Sequence, residues 1–231
     1  MKDLYYDFHV NNFRLVDEAE RLGYSGLALI MNGNNREEIP EWKNLGRYLD
    51  EHPLPIYKGV LIKARNPEDM RQKVKKFRSE AQVIMIHGGD QRINRSACED
   101  PRVDIISNPY YNRRDCGINH VMARKAAQNQ VAIELNIKHL SRTSSHLQYR
   151  ILNYYREIVK LKRKFNFPLI ITSDAQSIFD LHSPLDLIAL SRCFGMEQEE
   201  AISALSETPQ NIIEKSNMRN DVVVDGVKLI N

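Results

Sequence analysis

Cysteine is scarce in this sequence: Cys98, Cys116 and Cys193 are the only three in 231 residues. An odd number at wide spacing excludes a disulfide framework and a C-x-x-C metal clasp, and it fits a reducing, cytoplasmic setting. No apolar run approaches the roughly 18 residues that a membrane span needs, so no membrane partner is expected. The opening Met1-Lys2-Asp3-Leu4-Tyr5-Tyr6-Asp7 lacks the apolar stretch of a signal peptide. Internal repeats, linkers and low-complexity segments are absent. There is no G-x-S-x-G and no cysteine in an activating context, which removes the usual nucleophiles; Cys98 and Cys193 read as space-fillers in helices. No glycine-rich phosphate loop follows the first strand, which argues against a dinucleotide-binding fold.

What is present is an alternation of short β-branched runs with longer stretches of helical period, the βαβα pattern of a parallel sheet. The predicted strands are Leu4 to Val10, Gly26 to Met31, Ile56 to Lys63, Ala81 to His87, Val103 to Ser107, Val131 to Ile137 and Leu169 to Ser173. An eighth, near Leu185 to Phe194, is not a convincing strand, because Ser183-Pro184 has the form of a helix cap followed by a first-turn proline. Asn66-Pro67-Glu68-Asp69 opens another helix, with Met70, Val74 and Phe77 as its apolar stripe. The longest helix spans about Ser145 to Phe165; its Arg156, Lys160, Arg163 and Lys164 read as solvated or partner-facing. Thr208-Pro209 starts a last helix, and a hairpin turning at Asp225-Gly226 closes the chain, about residues 221–231.

The expected fold is therefore an α/β, TIM-like (β/α) barrel with about seven clear parallel strands and an irregular or helical eighth position. A single domain over residues 1–231 suits this length. An open doubly wound sheet is the alternative. Polar residues follow strands spread along the whole chain, and only a barrel brings all those strand ends to one face.

Several strand ends carry residues of metal-ligand type: Asp7, His9, His87, Glu134 and Asp174. Asp7, His9 and Asn11 should share one face of the first strand by alternation. Positions 11 and 176, where a metal enzyme would want histidine, are Asn and Gln, and amides are poor substitutes for imidazole at zinc. The better reading is a set of polar groups that hydrogen-bond one another at the barrel mouth; the alternative is a metal-dependent phosphoesterase. His52, His139, His146 and His182 have no partners at ligand spacing and receive no role.

Charge is segregated along the chain. Residues 1–57 hold 6 Lys/Arg against 10 Asp/Glu, residues 58–173 hold 23 against 10, and residues 174–231 hold 4 against 10. The middle is thus +13 between flanks of −4 and −6. In a closed domain this makes a positive side suited to a polyanion such as RNA, or simply a set of solvated helix faces. The richest stretch runs from Gly88 to Lys138. There Arg92, Arg95, Arg113, Arg114, Arg124, Lys125 and Lys138 are interspersed with Asn108, Tyr110, Tyr111, Asn119 and His120. Guanidinium groups bind phosphate and rings stack on unpaired bases, so the mixture fits structured RNA. Gly88-Gly89-Asp90-Gln91-Arg92 is either a backbone phosphate cradle or a plain turn.

Taken in order, several segments resemble archaeal ribonuclease P protein component 3, which is related to the eukaryotic thirty-kilodalton subunit. They are Tyr5 to Val10, Arg92 to Pro109, Gly117-Ile118-Asn119-His120 through Ala123-Arg124-Lys125-Ala126 to Asn136, Leu169 to Ala175, Ser183 to Leu187 and Pro209 to Ile213. The resemblance implies a barrel related to the polymerase and histidinol phosphatase superfamily, used as a protein cofactor of an endoribonuclease. The family's RNA component cleaves the 5′ leader from precursor tRNA and would use Mg2+. This chain would bind no cofactor and contribute no catalytic side chain. Its implied partners are ribonuclease P RNA, protein component 2 and other protein subunits, with precursor tRNA reached indirectly. RNA contacts carry over to Arg92, Arg95 and His120 first, then to Arg113, Arg124 and Lys125. Ser173-Asp174-Ala175-Gln176 departs from the family pattern toward the superfamily's Asp-Ala-His.

Overall fold

The structure, a computed structural model, describes residues 4–34 and 52–220, together with the backbone of 222–224 and 227–228. Its centre is a seven-stranded parallel sheet in sequential order: β1 (Tyr6–Val10), β2 (Gly26–Asn32), β3 (Ile56–Ile62), β4 (Val83–His87), β5 (Ile105–Ser107), β6 (Ala132–Asn136) and β7 (Leu169–Thr172). All seven expected strands are present, one to two residues shorter or longer at some ends. Helices α1 (Val16–Arg21), α2 (Pro67–Phe77), α3 (Gln91–Glu99), α4 (His120–Asn129), α5 (Ile137–Arg142) and α6 (Ser145–Phe165) lie between strands. They are followed by α7 (Pro184–Ser191), α8 (Gln198–Leu205) and α9 (Glu207–Asn220).

The sheet curls until its two edges meet. Val10 bridges Ala175 in parallel, with Asn11 N–H donating to the Ala175 carbonyl at 2.8 Å and Ala175 N–H to the His9 carbonyl at 3.1 Å. The eighth position thus shrinks to one residue beyond β7. Residues 185–194 form α7 and a short 3-10 turn, as the Ser183 cap and Pro184 imply: the Ser183 hydroxyl accepts the Asp186 N–H. The helix does not close the sheet; Ala175 does so directly.

Inside the barrel sit Phe8, Ala28, Ile30, Val83, Met85, Ile105, Ala132 and Ile170, and Ile212 of α9 packs against them. A larger apolar layer separates strands from helices, with Met70, Val74 and Phe77 of α2 buried as their spacing predicts. Two short antiparallel strands, β8 (Val222–Val224) and β9 (Val227–Lys228), follow α9; the Asp225-Gly226 turn lies outside the described residues.

Candidate functional site

The C-terminal ends of the strands surround a polar mouth cavity of about 470 Å3. His9 stands at its wall, 2% exposed. Its Nδ1 lies 2.6 Å from Glu134 Oε1, and its Nε2 lies 3.4 Å from Asp174 Oδ1. Burial disfavours the imidazolium, but Glu134, Asp174 and Asp7 outweigh it and raise the His9 pKa to about 9. Protonated at both ring nitrogens, the imidazolium suits an ion pair with these carboxylates. Burial likewise opposes ionisation of Glu134, yet His9 and the Thr172 hydroxyl, which donates at 2.6 Å, hold the carboxyl below its ordinary range.

Asp174 is also occupied. Its oxygens accept Asn11 Nδ2 at 2.6 Å and Asn136 Nδ2 at 3.1 Å, its backbone is left-handed (φ 52°), and its carbonyl accepts Lys138 Nζ at 3.1 Å. The amide at position 11, a deficiency from a metal-site viewpoint, is thus a donor to a carboxylate.

Asp7 departs from expectation. The β1–β2 register shifts between Asp7 and Val10, so strict alternation fails. Its buried carboxylate accepts the backbone N–H groups of His9 (3.1 Å) and Ser173 (3.3 Å) beneath the cavity, and burial raises its pKa to about 6. His87 lines the mouth but donates to, or accepts from, none of these carboxylates; its Nδ1 is 2.9 Å from the Gly88 carbonyl and its ring meets Tyr111 edge-on at 4.9 Å. His139, given no role from sequence, lines the same cavity, with Nδ1 3.3 Å from the Tyr110 hydroxyl. Burial lowers the pKa of both histidines. Among the described residues, no three His, Cys, Asp or Glu side chains form a metal-holding group.

On the flank of the barrel, the Arg92–Pro109 block proves to be largely scaffold. Asn94 is fully buried: Nδ2 donates to the carbonyls of Pro109 (2.8 Å) and Gly117 (2.9 Å), while Oδ1 accepts Gly89 N–H (3.0 Å). Gly89 (φ +114°) is required because a Cβ there would stand 2.6 Å from the Tyr111 carbonyl oxygen. Asp104, also fully buried, binds Arg78 at 2.5 Å, Arg219 at 3.0 Å and Ile84 N–H at 2.9 Å. The phosphate-cradle reading of Gly88-Gly89 fails, because Asp90 caps α3 itself, its carboxylate accepting Arg92 N–H at 2.7 Å.

The basic side chains divide into four kinds. Arg113 is 20% exposed and fastens its own loop, to Asp115 at 2.6 and 2.8 Å and to the Gly89 carbonyl at 3.2 Å. Arg92 and Arg95 are exposed and paired within α3's own segment, to Asp90 and Glu99, each at 3.0 Å. Such surface pairs contribute little, about 0–1 kcal/mol, and leave the guanidinium exchangeable. His120, Arg124 and Lys125 on α4 and Arg114 before it are exposed, with no ion pair among the described residues. The longest helix is different again: Arg163 binds Glu200 at 2.7 Å and Arg156 binds the Cys193 carbonyl at 2.9 Å, so these two fasten α6 to its neighbours. Cys193 is exposed, in the 3-10 turn, and does not fill space as Cys98 does.

The sequence model of the family described as RNase P subunit p30 matches residues 4–221. The chain belongs to this family. It is 44% identical to ribonuclease P protein component 3 of Methanothermobacter thermautotrophicus, over 98% of this chain and 95% of that protein. It is 33% identical to ribonuclease P protein component 3 of Methanosarcina mazei, over 99% and 97%. Among solved structures, a chain in the cryo-EM structure of archaeal ribonuclease P with mature tRNA superposes with a TM-score of 0.84 at 32% identity, covering 98% of both chains. A p30-family chain with its mouth histidine locked between carboxylates does not favour the phosphoesterase alternative. No helix among the described residues is long and apolar enough to cross a membrane.

Proposed function

We infer that this chain is a protein subunit of ribonuclease P, binding and stabilising the RNA that removes the 5′ leader from precursor tRNA. The near full-length relationship to ribonuclease P protein component 3 and the matching chain in an archaeal ribonuclease P support this role. The RNA-binding part of the reading rests on one observation: the exposed His120, Arg124 and Lys125 on α4, which have no ion pair among the described residues, beside the exchangeable Arg92 and Arg95 of α3. A phosphate backbone would replace Asp90 and Glu99 as the partner of those two arginines. Arg113 belongs to this surface as a positioning residue for the loop. Protein component 2 is its proposed direct partner, and Mg2+ is assigned to the RNA.

Reconstitution tests the role. Purified chain is added to ribonuclease P RNA and the remaining protein subunits, and cleavage of precursor tRNA is followed. Restored cleavage with this chain, and a loss on Arg124→Gln with Lys125→Gln that low salt reverses, is the expected result. Cleavage indifferent to the chain would refute the assignment.

A further inference from the structure

A second concavity, of about 530 Å3, opens beside the mouth between the loop after β5 and helix α6. The loop is built to push one tyrosine in and the next one out. Asn108 and Asn112 are both left-handed (φ 50° and 55°) and bracket Tyr110-Tyr111, with Tyr111 N–H donating to Asn108 O and Arg113 N–H to Tyr110 O, each at 3.0 Å. Tyr110 is 3% exposed and stacks on Tyr154 of α6; Tyr111 is 47% exposed. Asn94 and Arg113 hold this loop from behind, so the Tyr111 ring is presented from a fastened backbone.

The facing wall carries Leu147 and Ile151, apolar and partly exposed, and Arg150. Among the described residues Arg150 donates only to neutral acceptors, the Arg113 carbonyl (3.4 Å) and the Tyr154 hydroxyl (3.0 Å). Arg114 at the rim has no ion pair among the described residues, and no Asp or Glu among them lines the cleft. An exposed ring opposite an apolar wall, with two guanidinium groups lacking carboxylates, matches a base followed by its phosphates.

We propose that this cleft takes one unpaired nucleotide of RNA. Its base stacks on Tyr111 against Leu147 and Ile151, and its flanking phosphates meet Arg114 and Arg150. A duplex cannot satisfy the site, because its bases are already stacked on one another. The proposal rests on the ribonuclease P reading and names the form of RNA this surface selects.

Fluorescence anisotropy of the full chain with a single-stranded oligoadenylate and with a blunt-ended RNA duplex tests it. Tyr111→Ala should weaken single-strand binding about tenfold, within the range of base–aromatic stacking, without altering its salt dependence, and Tyr111→Trp should restore it. Arg114→Gln should instead lower the log–log salt slope by about 0.7. Duplex binding should not respond to Tyr111→Ala. Wild-type affinity in both Tyr111→Ala and Leu147→Glu, or no single-strand binding by the wild-type chain, overturns the proposal. So does a Tyr111→Ala variant that keeps RNA affinity but no longer assembles with the other protein subunits, which would make the cleft a protein interface. These results leave the ribonuclease P role standing wherever the wild-type chain restores cleavage; failure of the wild type there removes the role itself.

Discussion

The barrel mouth and the α3–α4 flank both concentrate ionisable side chains, yet they use them in opposite ways. At the mouth the buried charges are engaged internally: His9 by Glu134 and Asp174, Asp174 also by Asn11 and Asn136, and Asp7 by backbone N–H groups. On the flank His120, Arg124 and Lys125 reach solvent without a counter-charge among the described residues. The difference is burial. In a low-dielectric site an unpaired charge is expensive and must be compensated, whereas at the surface water screens it and a ligand can claim it. A cluster of ligand-type residues therefore identifies a working site only once its internal pairing is known.

The strongest challenge to this contrast is Glu134→Ala. Removing the nearer member of a buried ion pair leaves the His9 imidazolium to the weaker Asp174 contact at 3.4 Å, and the cost should be about 3–5 kcal/mol in urea or thermal unfolding. RNA affinity per folded molecule should stay unchanged. Loss of RNA binding at undiminished stability would make the mouth, not the flank, the working surface.

Next in size is a pH effect. The His9 pKa lies near 9 in the folded chain against an ordinary 6.5, so the folded state holds this proton more tightly than the unfolded one. Its contribution, about 3 kcal/mol, is complete below pH 6.5 and is lost as pH rises through about 9. Asp7, raised to about 6, acts in the same sense in a lower window: its contribution is complete below about 3.8 and lost as pH rises through about 6. Glu134, held low, acts oppositely, losing its contribution on acidification. Urea midpoints measured from pH 6.5 to 9.5 should fall in the wild type relative to His9→Gln, in which partly buried Lys215, its pKa lowered to about 8, still titrates in the opposite sense; parallel profiles in both would assign the effect to other groups.

Arg113→Ala should be smaller, about 1–2 kcal/mol of stability from the lost Asp115 and Gly89 bonds. The salt slope of RNA binding should not move, and a change of about one unit would instead make Arg113 a direct phosphate contact. Smallest in energy is Lys125→Gln, which should reduce that slope by about 0.7–0.9 and affinity severalfold at physiological salt, with unchanged melting.

Strands and helices were legible because periodicity and caps are local. Asn66-Pro67 and Ser183-Pro184 state where helices begin, and the branched runs state where strands lie. The flank was legible in part: the +13 segment located it, but sequence could not separate Arg113, which is internally engaged, from Arg124, which has no ion pair among the described residues. His139 received no role from sequence, because only the turn from β6 into α5 carries it to the mouth.

By itself, then, the chain's order of residues determined a β/α alternation, a basic central half and a near-complete set of strand-end ligands. Only the folded barrel decided which of those charges are free. His9 and Glu134 are 125 residues apart, and Ser173 N–H finds Asp7 across 166. Coulomb attraction and hydrogen bonding act over a few ångströms, and nothing in local periodicity encodes which distant groups the closing sheet will bring within that reach.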